Sequence, residues 1–291
     1  MTGVMTINQA QLVDLLAEHR RRNWSGIQTP EWQEKIVLGL AECQEPRILK
    51  RIAPFHSLPK DAMILDLGSG VGNFVVACRN QGLRAFGVEP DRIGQNSTIT
   101  ALGIASRRLD SAPFAAAVGE QLPFADSTFD LVVMDQVIEH VADQKRVLAE
   151  ALRVLKPGGA LYVACPNYLR FYEPHYKIRF LPLLPKFLGS IYLRLRGRDP
   201  VLLSQLTYTT NWRVRRLFAA IGITRFLDLN CEGFLAKCRG KGANPANWKG
   251  RVVNGLVNIP TAEKFVLWAA SLYVRLREGG SEMLAWKEAR K

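Results

Sequence analysis

The stretch Ile64–Phe74, ILDLGSGVGNF, constrains the fold of this chain more than any other. An apolar run predicts a β-strand over Met63–Leu67, and this run contains one acid, Asp66. Three glycines follow at alternate positions, and an apolar segment with helical character comes after them. A strand, a glycine turn and a helix form the first unit of a nucleotide-binding α/β sheet, in which ligands bind at the carboxyl ends of the strands. The sequence therefore predicts an α/β fold with a ligand site at this turn.

The spacing of the three glycines separates two kinds of nucleotide ligand. A dinucleotide fingerprint requires a third glycine three residues after the second. That position is Asn73 in this chain, and the third glycine, Gly72, comes one residue earlier. The Asp-x-Gly-x-Gly-x-Gly pattern instead resembles motif I of the class I S-adenosylmethionine-dependent methyltransferases. The resemblance implies S-adenosylmethionine as the cofactor and disfavours a nicotinamide-dependent oxidoreductase.

Strand and helix patterns alternate from residue 62 at the spacing of βαβ units, which predicts parallel strands with right-handed crossovers. The predicted strands are Met63–Leu67, Ala85–Val88, Ala115–Val118, Phe129–Met134, Gly159–Ala164, Ile223–Leu229 and Phe234–Cys238. The predicted helices between them are Asn73–Gln81, Asp91–Leu102, Asp143–Val154 and Asn211–Ala220. The family resemblance implies a Rossmann-like, seven-stranded, mostly parallel sheet with an antiparallel edge strand and helices on both faces.

We divide the chain into three regions. Residues 1–60 have helical periodicity and are predicted to form a helical cap, because family members commonly carry helices before motif I. Residues 61–240 are predicted to be the methyltransferase domain, and the aromatic, proline-rich and arginine-rich segment 167–210 occupies the position of a substrate-recognition insertion. Residues 241–291 are predicted to form a basic, amphipathic, helical extension.

The resemblance implies a role for each residue of the motif I turn. The methionine part of the cofactor lies against the glycine backbone, which it approaches closely because no side chain intervenes. Asp66 orders the turn and interacts with the ammonium group, and Glu89, at the end of the second strand, accepts the ribose hydroxyls. The candidate cofactor-binding residues in this part are Asp66, Gly68, Ser69, Gly70, Gly72, Asn73, Glu89 and Pro90.

Two later segments resemble the family's adenine site and motif IV. The resemblance implies that Glu120 and Gln121 read the adenine amino group while Leu122 packs against the ring. The loop after the fourth strand is expected to face the sulfonium and the methyl acceptor. Its candidate residues are Asp135, Gln136 and Val137.

Two histidines are candidate general bases. His140 follows the motif IV loop, so it is a base by position, although it would equally serve as a helix-start residue that shapes the pocket. His175 lies between two tyrosines in the predicted insertion and is a catalytic or substrate-orienting candidate. The spacing of His, Cys, Asp and Glu shows no metal-ligand cluster, so we predict no bound metal.

The distribution of charge and the cysteine content indicate the kind of binding partner and the cellular location. The net charge of +13 comes entirely from the residues after 166, which points to an anionic partner such as a membrane surface, a nucleic acid or a phosphorylated substrate. The five cysteines include no C-x-x-C pair, which favours reduced thiols and a cytoplasmic location, with a peripheral membrane position as an extension of it. No apolar run reaches the roughly 18 residues that span a bilayer.

The acceptor is predicted to be an amphipathic small molecule, a glycan or a lipid. Segments 178–197 and 261–277 place apolar and aromatic residues beside Arg and Lys, which suits helices at an anionic membrane interface or faces that pack on the sheet or on a second subunit. A nucleic-acid methyltransferase is less favoured, because Asp135–Ile138 lacks the Asn/Asp-Pro-Pro-aromatic tetrapeptide of amino-directed enzymes. A non-catalytic S-adenosylmethionine-binding module is the remaining alternative.

Overall fold

The structure, a computed structural model, describes part of the chain. The described residues are 7–23, 37, 46–90, 100–109, 113–239, 268–269, 272, 274, 276 and 280–288. Much of the predicted N-terminal cap, the first part of the predicted helix Asp91–Leu102 and most of segment 241–291 lie outside them. Within the described residues, no helix is long and apolar enough to span a membrane.

A seven-stranded sheet forms the centre of the fold, and its order is β3-β2-β1-β4-β5-β7-β6. The strands are β1 (Met63–Leu67), β2 (Arg84–Glu89), β3 (Phe114–Ala116), β4 (Phe129–Asp135), β5 (Leu155–Pro166), β6 (Phe226–Asp228) and β7 (Gly280–Trp286). Strands β1 to β5 pair in parallel with their neighbours. The sheet order reverses between β1 and β4, so the carboxyl ends of these two strands flank the crevice in which α/β folds bind ligands. The predicted Rossmann-like fold is confirmed.

Helices lie on both faces of the sheet. Their bounds are α1 (Gln9–Asn23), α2 (Arg47–Ile52), α3 (Asn73–Asn80), α4 (Ala101–Ala105), α5 (Gln144–Val154), α6 (Lys186–Leu195), α7 (Val201–Gln205), α8 (Asn211–Ala220) and α9 (Leu229–Arg239). One core contains apolar side chains of α5 and α8, and the opposite core contains side chains of α2, α3 and α9. Alternate residues of the buried strands pack in the two cores, because successive side chains of a strand point to opposite faces. In β1, Leu65 packs in the first core and Ile64 in the second.

The antiparallel strand of the sheet is β7, and it lies one position in from the edge, between β5 and β6. The prediction of a strand over Phe234–Cys238 is wrong, since these residues belong to α9. Asp228 accepts a hydrogen bond from the Cys231 N–H at 3.1 Å, so it caps this helix at its start. Residues 280–286, which we predicted within a helical extension, supply the missing strand.

The predicted insertion 167–210 has a small core of its own. Tyr176, Ile178 and Phe180 pack there against Leu193 of α6 and Leu203 of α7. The segment is also joined to the motif IV loop, because the Thr207 N–H donates to the Glu139 carbonyl at 2.7 Å. The insertion is therefore held beside the carboxyl end of β4, where a methyl acceptor would have to bind.

Candidate active site

The glycine turn after β1 is shaped by its three glycines. Gly68, Gly70 and Gly72 all have positive φ angles, of 78°, 51° and 82°. A side chain at Gly68 would collide with Val137 of the motif IV loop, and one at Gly72 would meet Phe114 at 2.7 Å. At Gly70, no atom of the described part of the chain lies within 4 Å of the corresponding position. The turn is therefore packed on two sides and open at Gly70, which leaves room for a ligand to approach its backbone.

Glu89 connects the second strand to this turn. Its carboxylate accepts a hydrogen bond from the Gly70 N–H at 2.8 Å. The Gly68 and Ser69 N–H groups both donate to the Val88 carbonyl, at 2.7 and 3.0 Å. The ends of β1 and β2 are thus fixed to one another, and the carboxylate lies at the position where the resemblance implies ribose recognition.

A cavity of about 570 Å³ opens beside the turn. Its lining comes from the ends of four strands and from α1 and α4, and includes the predicted residues Gly68, Gly70, Glu89, Pro90, Glu120, Gln136, Val137 and His140 together with His19, Ala101, Val118, Val141 and Ala142. This volume lies within the range of small-molecule sites. The structure brings seven of the fourteen predicted cofactor-binding residues, together with His140, into one concave site.

Several predicted residues lie outside this lining. The side chain of Asn73 accepts a hydrogen bond from Arg108, which holds the start of α3. Ser69 is buried with no hydrogen-bond partner for its hydroxyl oxygen. Gln121 and Leu122 line a different cleft with Arg146 and Arg153, and Leu122 is part of the sheet core. The structure therefore assigns Asn73 to the turn and Leu122 to packing, and their predicted cofactor contacts stay predictions.

Asp66 is a buried acid within β1, immediately before the turn. Burial, and to a smaller extent the nearby Asp135 and Glu89 carboxylates, raise the pKa of its carboxyl to about 8. A cation bound at the turn would favour the ionised form, since an opposite charge lowers the pKa of an acid. Asp66 is thus suited to respond to a positively charged ligand.

Replacement of Asp66 by asparagine is expected to stabilise the ligand-free protein at alkaline pH. In the unfolded chain this carboxyl has its ordinary pKa of 3.8, whereas in the folded protein its pKa is about 8. Between these two pH values the unfolded state has lost the proton and the folded state still holds it, so the free energy of unfolding of wild type falls as the pH rises. We expect the variant to be more stable by about 3 kcal/mol at roughly pH 8.5, and the difference to shrink toward pH 4. Urea denaturation across this window measures it. A constant difference at all pH values would contradict the raised pKa.

The motif IV loop begins with an unusual backbone conformation. Gln136 has a φ of 58°, in the left-handed region that few non-glycine residues occupy. Its N–H donates to the Ala164 carbonyl at 2.9 Å, which holds the chain in this conformation at the end of β4. Strained residues of this kind concentrate at functional sites. The conformation directs the chain so that Val137 packs on Gly68 and His140 reaches the cavity.

His140 and His175 lie together, although 35 positions separate them in the sequence. Their ring centroids are 5.4 Å apart with the planes perpendicular. Burial, and to a smaller extent the neighbouring His175, lower the pKa of His140 to about 4, so His140 is neutral at physiological pH and able to accept a proton. His175 Nδ1 lies 2.8 Å from the Glu173 carboxylate, which orients its ring. His140 therefore lines the cavity, and His175 lies directly behind it in ring contact with His140.

Three site residues were missed by the sequence interpretation: His19, Glu139 and Glu173. His19 belongs to α1, and its position at the cavity depends on the packing of Leu12 and Leu16 against Ile104. Glu139 and Glu173 are completely buried acids next to the two histidines. The available signal was the repeated proximity of Glu and His, in Glu139-His140 and in Glu173-Pro174-His175.

Comparison with known proteins agrees with this site. Residues 65–163 match the family described as "Methyltransferase domain". An uncharacterized methyltransferase of Mycobacterium avium is 40% identical over 112 residues, which cover 38% of this chain and 42% of the relative. One of Mycobacterium leprae is 35% identical over 117 residues, covering 40% and 42%. The matching part spans about two-fifths of these relatives.

A solved structure, phosphoethanolamine N-methyltransferase 2 of Haemonchus contortus with S-adenosyl-L-methionine, covers 97% of this chain and 58% of that chain. Its sequence identity of 15% and TM-score of 0.49 are too low to carry information about the acceptor. The match to the family, the glycine turn and the carboxylate at the end of β2 lead to one conclusion. Residues 65–163 of this chain match a methyltransferase domain, and the site that they form is similar to that of the S-adenosylmethionine-dependent methyltransferases.

Proposed function

We propose that this protein transfers a methyl group from S-adenosylmethionine to an amphipathic acceptor of small-molecule, glycan or lipid type. The donor part rests on one observation: the open face of Gly70 and the Glu89 carboxylate line the same cavity of about 570 Å³. When bound, S-adenosylmethionine supplies a methyl group already activated by the sulfonium charge. The protein then has to align donor and acceptor and exclude water from between them.

The residues of the glycine turn and of the cavity each have a separate role in binding the donor and in the transfer. The Gly68–Gly72 turn presents backbone to the methionine part, and Asp66 complements its positive charge. Glu89 accepts the ribose hydroxyls, and Glu120, which also lines the cavity, recognises the adenine amino group. Neutral His140 is placed at the motif IV side, where it can accept a proton from an acceptor that must lose one.

An exposed apolar surface on the insertion supports an amphipathic acceptor. Phe187, Ile191 and Leu195 are spaced four residues apart along α6, and they are 67%, 50% and 81% exposed. The opposite side of the helix already packs against the insertion core through Leu193. Such a stripe differs from an ordinary solvent-facing helix surface and marks an interaction site.

An apolar groove of about 740 Å³ adjoins this stripe. Its lining residues are Phe171, Arg179, Phe180, Leu181, Leu184, Leu188 and Tyr192. Exposed basic side chains surround the same surface, among them Lys186, Arg194 and Arg196. Apolar groups with flanking cations suit an acyl or prenyl chain attached to an anionic head group, at the face of an anionic membrane. We therefore place the acceptor in this class.

The test is a transfer assay with methyl-labelled S-adenosylmethionine against lipid, polar small-molecule and RNA extracts. We expect label in the lipid or amphipathic fraction. Label confined to RNA would replace this acceptor with a nucleic acid, and such binding would weaken steeply with salt. Cofactor binding without label in any fraction would favour the non-catalytic module.

The same assay tests the α6 surface through a triple variant, Phe187→Ser, Ile191→Ser and Leu195→Ser. Because these side chains are exposed, the variant should fold normally and bind S-adenosylmethionine as before. We expect it to lose about 10-fold or more of its sedimentation with phosphatidylglycerol vesicles and of its transfer to lipid. Trp212→Ser, an exposed aromatic on α8, is the control. Equal vesicle binding by all three proteins would refute the membrane placement.

A further inference from the structure

Three side chains with metal-ligating atoms meet beside the proposed methyl-transfer site. The ligand atoms of Glu139, His140 and His175 all lie within 4.8 Å of one another. Glu139 and His140 belong to the loop after β4, and His175 comes from the insertion. The backbone contact between Thr207 and Glu139 holds the insertion against this loop. The cluster is therefore formed by two parts of the fold that are fixed to each other.

Glu139 is the most informative member of the cluster. It is 0% exposed, and among the residues that the structure describes neither of its carboxylate oxygens has a hydrogen-bond partner. The Nε2 atom of His140, whose ring is neutral at physiological pH, lies 3.9 Å from its Oε1. A buried carboxylate without partners is costly, because it has lost its water and has received nothing in exchange. A cation between the three side chains would provide the missing partner.

Glu173 shows that an isolated carboxylate is not the rule in this region. It is also 0% exposed, but its oxygens accept hydrogen bonds from the Tyr168 hydroxyl at 3.1 Å and from the Tyr176 N–H at 2.6 Å. The same carboxylate contacts His175 Nδ1 at 2.8 Å. Two acids of equal burial thus differ in a single respect: Glu173 is fully partnered and Glu139 is not.

The contact with Glu173 also prepares His175 as a ligand. When Nδ1 donates its proton to the carboxylate, the lone pair of the neutral ring is on Nε2. Histidines that bind metals commonly donate their other ring N–H to a carboxylate in this way, which fixes the tautomer and the ring orientation. The arrangement supplies both a ligand and the group that orients it.

We propose that Glu139, His140 and His175 bind a divalent first-row transition metal ion, such as Mn²⁺, Fe²⁺, Co²⁺ or Zn²⁺. Two imidazoles and one carboxylate favour these ions over Mg²⁺ and Ca²⁺, which prefer oxygen ligands. Three protein ligands leave coordination positions open, as in catalytic rather than structural sites. His140 lines the cavity, so the open positions are adjacent to the proposed transfer site.

The metal site limits the methyl acceptor to molecules with a hydroxyl oxygen that can bind the metal. This inference rests on the proposed function. A metal-bound hydroxyl loses its proton more readily than a free one. In a transfer with the metal bound, the bond between sulfur and the methyl carbon would break, with its electron pair staying on sulfur, and a bond between the acceptor oxygen and that carbon would form. The hydroxyl proton would then leave to solvent and not to His140, because the metal would hold the lone pair with which His140 otherwise accepts a proton. The acceptor class becomes a hydroxylated or phenolic amphiphile.

Metal binding is tested on the full chain without an affinity tag, after treatment with a chelator. Titration with Co²⁺, followed by visible absorption, and with Zn²⁺, followed by calorimetry, should show one tight site. We expect His140→Ala and His175→Ala to weaken it about 100-fold. His56→Ala is the matched control, since His56 Nδ1 instead accepts a hydrogen bond from Trp286 at 3.2 Å. No tight site, or equal affinity in all four proteins, would overturn the proposal.

A further variant separates a ligand from a structural residue. Glu139→Gln keeps the shape of the side chain and removes the buried charge, so the metal-free variant should melt at the same temperature as wild type or higher. Zn²⁺ at a saturating concentration should raise the melting temperature of wild type by roughly 5 °C and leave the variant unchanged. A variant that melts lower but keeps the Zn²⁺ shift would overturn the assignment of Glu139 as a ligand.

Calorimetry with S-adenosylmethionine on metal-free protein keeps the two proposals apart. Metal binding without S-adenosylmethionine binding would support the site and refute the transfer function. S-adenosylmethionine binding and methyl transfer that proceed unchanged in the Glu139→Gln variant would support the function and refute a metal site that acts in it.

Discussion

Replacing Glu89 with alanine should lower the affinity for S-adenosylmethionine about 100-fold, which corresponds to about 2.7 kcal/mol. Hydrogen bonds to an ionised carboxylate contribute about 1.5–3 kcal/mol each, and this residue is proposed to accept from the ribose hydroxyls. The variant also removes the acceptor of the Gly70 N–H, so the glycine turn loses one of its hydrogen bonds to β2 and keeps the two that the Gly68 and Ser69 N–H groups donate to the Val88 carbonyl. Isothermal titration of purified protein measures the change.

The control for this experiment is Asp61→Ala. Asp61 is an exposed acid just before β1, at the amino end of the strand and therefore at the opposite edge of the sheet. It removes the same charge without touching the cavity, so its affinity should equal that of wild type. A loss of less than about threefold in Glu89→Ala would show that the cofactor is held elsewhere.

Replacing Leu284 with alanine should destabilise the protein by about 3 kcal/mol. Leu284 lies in the middle of β7, is 0% exposed and pairs with Tyr162 of β5 on one side and Leu227 of β6 on the other. The shortened side chain leaves a cavity in the core that β7 shares with α2 and α3. Urea denaturation gives the change in the free energy of unfolding.

Leu195→Ala is the matched control, because it makes the same chemical change at a side chain that is 81% exposed. Its stability should stay within about 0.5 kcal/mol of wild type. If Leu284→Ala were equally harmless, residues 280–286 would not be part of the sheet, and the C-terminal region would be the separate extension that the sequence suggested. For the same reason, removal of residues 261–291 is not a clean test of membrane binding, since it deletes β7.

The parts of the fold that were predicted correctly depend on local signals. Strand β1, the glycine turn and α3 follow from neighbouring residues, because glycine alone adopts the positive φ of this turn easily. Helix α5 begins at the predicted position, since the Asp143 side chain accepts from the Arg146 N–H. The error at Phe234–Cys238 arose because a short apolar run is equally consistent with a strand or a helix. The cap at Asp228 was the signal that would have decided for a helix.

The candidate site also contains residues that could be predicted from the sequence and residues that could not. Glu89 was predictable, because parallel strands of a βαβ sheet end at the same edge and the residue after a strand therefore reaches the site. The environment of Glu139 was not, since it depends on how the insertion folds back on the β4 loop. Leu122 was predicted to pack against the adenine ring, but its side chain belongs to the sheet core.

The sequence by itself determined the cofactor turn, the approximate positions of the first five strands along the chain and the concentration of positive charge after residue 166. These features follow from backbone geometry, side-chain periodicity and composition, which act over a few residues at a time. The tertiary structure alone decided that β7 joins the sheet between β5 and β6 and that Glu139, His140 and His175 meet. Both outcomes bring together segments that are far apart in the chain. Local sequence signals do not specify such contacts, which depend on how the segments pack in the folded protein.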